Sequence, residues 1–381
     1  MHAPTLIATT ADAERALRDI AHTREIAVDT EGASFHRFVD RIYLLQLSTR
    51  DHTTIVDPLA VHADTLAPLG ALLADPAVEV VFHDADYDLR LLRQDYGWQV
   101  QHLFDTRVAA QLLGLKAFGL AALLERYVGV RLDKKHQRAD WSMRPLPQDM
   151  LDYAAQDTMH LLPLRDLMRD ELRAKERLEW AREEFARAVD VRWDDEDAAT
   201  TFFKVKGARD LGRRELAILR ELVGWRDTVA KAMDRATFRV VGNEQLLDIA
   251  RSQPATRDDL GRIKGLSRGI MERRAQEILD AVRRGVAVPE AQLPKFPKSP
   301  RWDRDPQFDA KVNALKVVRD AFAERLEMDP GVLASRDRLE AVARKNPRSV
   351  DELSSVDELR RWQIDLMGRD FVQALSRVPK K

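Results

Sequence analysis

Two apolar periods divide this chain, and the way they follow one another limits what it can fold into. Through roughly the first third, short strand-like runs alternate with helical ones. The strand-like runs are 26–29, 43–48, 54–57, 78–82 and 103–105; the helical ones are 12–21, 66–74, 88–94, 107–113 and 120–128. Such alternation specifies an α/β layer fold, and the closely spaced early strands favour an antiparallel meander ahead of the helices. From Pro147 to Ala188 the pattern is almost continuously helical. An acidic run, Asp194-Asp195-Glu196-Asp197, reads as a solvated linker. The chain beyond it is helical and rich in arginine.

At 381 residues the chain is long enough for two or three domains. It has no cysteine, which excludes disulfides, thiolate zinc sites and cysteine nucleophiles. The net charge of −1 gives no global signal for nucleic acid, so any basic surface is local. The first residues, Met1-His2-Ala3-Pro4-Thr5, lack the basic-then-apolar layout of a signal peptide. No apolar run is long enough to span a bilayer, so a cytoplasmic protein with no membrane partner is expected.

Carboxylates close three of the apolar patterns. Ala27-Val28-Asp29-Thr30-Glu31 ends a strand-like run, and residues two apart on a strand share a face. Asp29 and Glu31 therefore point one way and Thr30 the other. His83-Asp84-Ala85-Asp86-Tyr87-Asp88-Leu89 offers three aspartates where a strand passes into a helix, and spacing alone does not choose among them. In Tyr153-Ala154-Ala155-Gln156-Asp157 the tyrosine and the aspartate lie four apart on one helix face. Alone, the first reads as a polar strand end, the second as aspartates that favour a helix start, and the third as a half-buried tyrosine beside a surface aspartate. Brought to one point, clustered hard oxygens suit Mg²⁺ or Mn²⁺, and a pair of such ions can run phosphodiester hydrolysis.

Together the three segments resemble the DEDD superfamily of 3′–5′ exonucleases in its tyrosine-bearing subclass, and within it the ribonuclease D family. The run Ala139-Asp140-Trp141-Ser142-Met143-Arg144-Pro145-Leu146, the Tyr153–Asp157 segment and Leu161-Leu162-Pro163-Leu164 carry the likeness across some two dozen positions. The family's His-x-x-x-x-Asp-Leu motif selects Asp88, after His83, over Asp84 and Asp86. Those two aspartates stand where the family usually has small or neutral residues.

The resemblance implies a ribonuclease H-like sheet and a catalytic set of Asp29, Glu31, Asp88, Tyr153 and Asp157. It implies two divalent ions, Mg or Mn. Asp29, Glu31 and Asp157 hold the first, Asp29 bridges to the second, and Asp88 helps place the second through water. A phenol with an ordinary pKa of about 10 is a poor base at neutral pH, so Tyr153 is read as orienting water and phosphate. Lys134, Lys135 and Arg144 are candidates for phosphate contacts, the alternative being a solvated basic loop. Trp141 is read either as a base-stacking platform or as core, and His83 either as approaching the terminal nucleotide or as structural.

The second half resembles the HRDC module, the small helical domain named for helicases and ribonuclease D. The helix opened by Arg213-Arg214-Glu215-Leu216, Gln245-Leu246-Leu247-Asp248-Ile249-Ala250 and the turn Gly261-Arg262-Ile263-Lys264-Gly265-Leu266 carry that likeness over 211–288. Arg262, Lys264 and Arg268 flank the glycine turn and are candidates to grip phosphates. A proline-rich stretch, 288–300, follows. The order then repeats: Val317-Val318-Arg319-Asp320, Arg338-Leu339-Glu340-Ala341-Val342-Ala343, Pro347 matching Pro254, and Leu359-Arg360-Arg361-Trp362 in place of the glycine turn.

The expected organisation is multidomain: an α/β ribonuclease H-like exonuclease domain (1–190), a linker (191–210), an all-α HRDC domain (211–288), a proline-rich linker (289–306) and a second, diverged all-α HRDC-like domain (307–381). The expected activity is removal of nucleotides from RNA 3′ ends as 5′-monophosphates. The implied partner is RNA with a free 3′ end, tRNA precursors among them, with no obligate protein partner called for. A DNA or general exonuclease, and a non-catalytic RNA-binding adaptor on the same fold, are the competing readings.

Overall fold

The alternation of the first third is present, with one strand more than the period reveals. In the computed structural model, which describes residues 4–132, 135–190, 199–297 and 306–379, the chain opens with β1 (Thr5–Ile7), α1 (Thr10–Ile20) and β2 (Glu25–Glu31). There follow β3 (Leu44–Ser48), β4 (Thr53–Val56), α2 (Ala67–Leu73), β5 (Glu79–Phe82), α3 (Asp86–Tyr96), β6 (Leu103–Asp105), α4 (Thr106–Leu112) and α5 (Leu120–Tyr127). The helical stretch after Pro147 is α6 (Gln148–Met159), α7 (Leu161–Ala174) and α8 (Leu178–Val189).

The six strands form one mixed sheet in the order β1-β4-β3-β2-β5-β6. Strands β2, β3 and β4 make the expected antiparallel meander, while β5 and β6 add in parallel on one side and β1 pairs parallel to β4 on the other. Within the meander β3 passes to β4 through the short link 49–52 and β2 to β3 through the longer 32–43, whereas parallel strands need a crossover. The register sets Asp29 opposite Gln46 and Glu31 opposite Leu44, so these four side chains share a face. Helix α6 packs on β2, β3 and β4. A hydrogen bond between the hydroxyls of Ser48 and Thr158, 2.8 Å long, ties it to β3.

The other end of β2 is fixed by charge. The buried guanidinium of Arg165 on α7 pairs with Glu25 at the start of β2, Glu79 at the start of β5, and Asp166 at 2.8 Å. Truncating Arg165 would remove the guanidinium that all three carboxylates share, leaving Glu25 and Asp166 to Arg50 and Glu79 to Arg169. β2 is thus anchored at its first residue, and its acidic end is left for chemistry.

Two five-helix segments complete the chain. The first is α9 (Arg213–Met233), α10 (Thr237–Val240), α11 (Asn243–Ser252), α12 (Arg257–Gly261) and α13 (Arg268–Ala287). The second is α14 (Phe308–Leu326), α15 (Pro330–Leu333), α16 (Arg336–Lys345), α17 (Val350–Leu353) and α18 (Arg361–Ser376). Packing sorts the chain into two compact units, one of residues 1–32, 42–191 and 302–381, the other of 33–41 and 192–301. The second unit has its own core, with Leu216, Leu219, Leu222, Leu246, Ile249 and Ile278 fully buried or nearly so. There Gly285 lets α13 lie against α9, since a Cβ at that position would come 2.4 Å from Ile218 Cα. In the first unit, the core of the sheet is continuous with that of α14–α18 through residues such as Leu315, Trp362 and Phe371.

Candidate active site

Three of the predicted acids converge. One carboxylate oxygen each from Asp29, Glu31 and Asp157 lie within 4.8 Å of one another. Strand alternation aims the first two, and α6, packed across the strands, brings the third. Burial pushes the Asp29 and Glu31 carboxyls well above the usual range, and the neighbouring acids push them further. Burial alone raises Asp157 to about 7. Like charges this close in a poorly solvated place repel strongly, and a bound cation removes that cost. Three hard oxygen donors at one point match what Mg²⁺ and Mn²⁺ take, so the donor set fits a divalent ion.

Asp88 stands beside this trio. Its Oδ1 accepts hydrogen bonds from the Thr30 backbone N–H at 2.9 Å and the Thr30 hydroxyl at 2.6 Å. Thr30, the residue that alternation turns away from Asp29 and Glu31, thus fixes the first turn of α3 against β2. Burial lifts Asp88 to about 7 against the lowering effect of these bonds. Its charge in turn contributes to the raised pKa of both Asp29 and Glu31.

The other two aspartates of that segment point elsewhere. Asp84, with φ of 67°, pairs with Arg107, so its extra negative charge is compensated locally. Asp86 is exposed in the first turn of α3. The turn is held by buried Asp105, which accepts from the backbone N–H groups of Asp84 at 3.1 Å and Ala85 at 2.9 Å and also caps α4.

Tyr153 lies one helical turn before Asp157. Its ring meets His136 edge-on at 5.7 Å and lies 6.2 Å from Trp141 at a 30° tilt. Trp141 is only 2 % exposed, which overturns its reading as a base-stacking platform: it is core, and it packs beside Tyr153. Arg144 is also corrected. Its guanidinium makes two bonds to Asp57, at 2.6 and 2.8 Å, and others to the carbonyls of Tyr43, Trp141 and Met143. All its donor groups are engaged within the protein, so it holds the loop before α6 rather than a phosphate.

His83 is half-buried at the end of β5. Its Nδ1 lies 2.9 Å from the Thr106 hydroxyl, which itself donates to the Phe82 carbonyl. Burial lowers the imidazole to about 4, leaving it neutral. Lys135 pairs with Asp149 at 2.7 Å, and Lys134 lies outside the described residues. Arg262, Lys264 and Arg268 are exposed around Gly265, whose φ is +84°. Arg262 and Arg268 make only short-range surface pairs, with Asp259 at 3.5 Å and Glu272 at 2.6 Å.

Sequence reasoning missed Thr30, Asp57, Asp105 and Gln46. The first three act through partners distant in the chain. Gln46 carries a signal of its own, one amide inside the run Leu44-Leu45-Gln46-Leu47.

Fold and site define a class of protein, a 3′–5′ exonuclease carrying HRDC modules. A family model described as a 3′–5′ exonuclease matches residues 4–173, and the HRDC domain model matches 215–282 and 309–375. The chain is 33% identical to ribonuclease D of Granulibacter bethesdensis over 369 residues, 96% of this chain and 91% of that one. It is similar in structure to Escherichia coli RNase D, described as an exoribonuclease involved in structured RNA processing, with a TM-score of 0.74 at 26% identity over all of both chains. A protein from Bifidobacterium adolescentis gives 0.82 at 28% identity over 98% of this chain and 97% of that one. The chain belongs to the ribonuclease D family. It is a 3′–5′ exoribonuclease that acts on RNA and uses divalent metal, which decides against the adaptor reading. Among the described residues no helix is long and apolar enough to cross a membrane.

Proposed function

We propose that Asp29, Glu31 and Asp157 ligate a divalent ion, Mg²⁺ or Mn²⁺, that Asp88 helps place a second, and that this centre trims the 3′ ends of structured RNA precursors such as tRNA. The observation that carries the reading is the convergence of three carboxylates from two elements to within 4.8 Å. These carboxylates would hold divalent ions whose chemistry would be to activate water at neutral pH and to neutralise charge on the phosphate. The protein's own groups do the rest. Asp29 and Glu31 are aimed by the strand, Asp157 by α6, and Asp88 is locked by Thr30, so the donors are gathered at one place before an ion binds. Tyr153, next to buried Trp141, orients water and phosphate and is not the base.

In this reading residues 1–190 form the exonuclease domain. Residues 211–288 and 307–381 are the HRDC domains, joined through 191–210 and 289–306. The exposed basic turn around Gly265 holds the body of the RNA by its phosphates. RNA precursors as substrate put the enzyme in the cytoplasm.

The test is wild type and Asp29→Ala on a 3′-tailed tRNA precursor and on a matched DNA strand, with and without Mn²⁺. Metal-dependent shortening of the RNA, slowed about 10³-fold or more in the variant, is expected. Equal shortening of RNA and DNA would refute the substrate assignment, and an active Asp29→Ala would refute the ligand assignment.

A further inference from the structure

Gln46 is a buried polar side chain on the sheet face that carries Asp29 and Glu31. Its strand is buried along its whole length. Gln46 itself is 0 % exposed, and neither its Oε1 nor its Nε2 has a hydrogen-bond partner among the described residues. An unpaired buried amide is destabilising and calls for an explanation.

Its surroundings supply one. The register sets Gln46 directly across from Asp29 on β2 and from Ile55 on β4. Side chains opposed in this way lie about 4.5–5.5 Å apart at Cβ, within reach of a glutamine's length. One cross-strand neighbour is apolar and the other is a carboxylate of the acidic centre. The ceiling is α6, the helix that carries Asp157. A fully buried side chain cannot touch RNA, so any role in the reaction must pass through the residues beside it.

We propose that Gln46 is a positioning residue for the centre. Its Nε2 donates to the Asp29 carboxylate when a divalent ion draws that carboxylate into its ligating orientation. The inference rests on the reading that Asp29 is a metal ligand. Ligating carboxylates are ordinarily held by a further hydrogen bond, and losing that bond costs about 10–100-fold in metal affinity. A glutamine kept for packing alone would behave differently. Its replacement would change stability and leave the ion untouched.

Gln46→Met separates the two, because it keeps the volume and removes only the polar atoms. In the full-length chain freed of metal, the variant is expected to melt at or above the wild-type temperature, since an unpaired amide has gone. Mn²⁺ binding, followed by electron paramagnetic resonance, is expected to weaken about 10–100-fold, and turnover to recover toward wild type as Mn²⁺ is raised. A metal-free variant that melts well below wild type, or fails to fold, would mean a structural amide and overturn the proposal. Unchanged Mn²⁺ affinity would overturn it as well. Asp29→Asn is the reference. If it abolishes Mn²⁺ binding while Gln46→Met does not, only this inference falls. If wild type and Asp29→Asn bind Mn²⁺ alike, the ligand assignment falls and takes the inference with it.

Discussion

Residues 213–287 and 308–376 run through the same five helices in the same order. The long opening helices α9 and α14 both end on a residue in the left-handed region, Asp234 and Glu327. The middle helices α11 and α16 do the same at Gln253 and Asn346. Thr256 and Ser349 cap the fourth helix of each set by accepting a backbone N–H three residues on. The sets part at the last helix. Ser267 caps α13 with its own hydroxyl, beside the exposed turn of Arg262, Lys264 and Gly265. At the start of α18 the N–H groups of its first two residues, Arg361 and Trp362, are taken by Glu183 of α8 at 2.7 and 3.0 Å. Arg360 pairs with Glu184 at 3.0 Å, and Trp362 stacks on Trp180 at 4.7 Å.

The difference shows how one module serves two ends. The N-terminus of the last helix is an anion-binding place in either copy. In the second copy the exonuclease region fills it with a carboxylate and the segment becomes part of that region's packing. In the first it faces solvent with basic side chains around it. Duplication of the fold does not duplicate the surroundings of this helix end.

Removing Trp362 would strike this contrast hardest. Its side chain is 4 % exposed and its Nε1 donates to Glu184 at 3.0 Å. Trp362→Ala is expected to destabilise the unit by about 3–5 kcal/mol, read from urea unfolding, while RNA binding by folded protein is retained. A change smaller than about 1 kcal/mol would mean that α18 is not held by this contact. Glu183→Ala comes next, at about 1 kcal/mol, the scale of a lost helix cap. Hydrogen exchange at Arg361 and Trp362 should then quicken, and unchanged protection would show that Glu183 does not cap the helix. The smallest effect on stability belongs to joint alanine replacement of Arg262, Lys264 and Arg268, whose surface pairs contribute little. Here the effect is on RNA. Affinity should fall, and the slope of log affinity against log salt should flatten by up to about 2. An unaltered slope would break the contrast, leaving both copies without a phosphate-binding turn.

Much of this was legible in the sequence, and the exceptions have physical causes. Alternation alone predicted that Asp29 and Glu31 face together, because the strand period admits no other arrangement. Tyr153 and Asp157 followed from the helical period in the same way. Strand β1 escaped because two of its three residues are exposed, whereas the equally short edge strand β6 is buried throughout. The choice of Asp88 over Asp84 and Asp86 could not come from spacing, since Thr30 and Arg107 decide it from 58 and 23 residues away. For Trp141 the sequence left platform and core both open, and burial decides for core. Arg144 was taken as a phosphate contact because the carboxylate that holds it belongs to a distant part of the chain. Asp57, the partner of Arg144, lies 87 residues upstream.

The convergence of the acids is the centre of the account, and one measurement addresses it without recourse to activity. Crystals of the full chain soaked in Mn²⁺ would be measured near the manganese absorption edge. The account predicts an anomalous peak coordinated by Asp29, Glu31 and Asp157, with Asp88 beside it. A peak elsewhere, or none at those three carboxylates at saturating Mn²⁺, would contradict it.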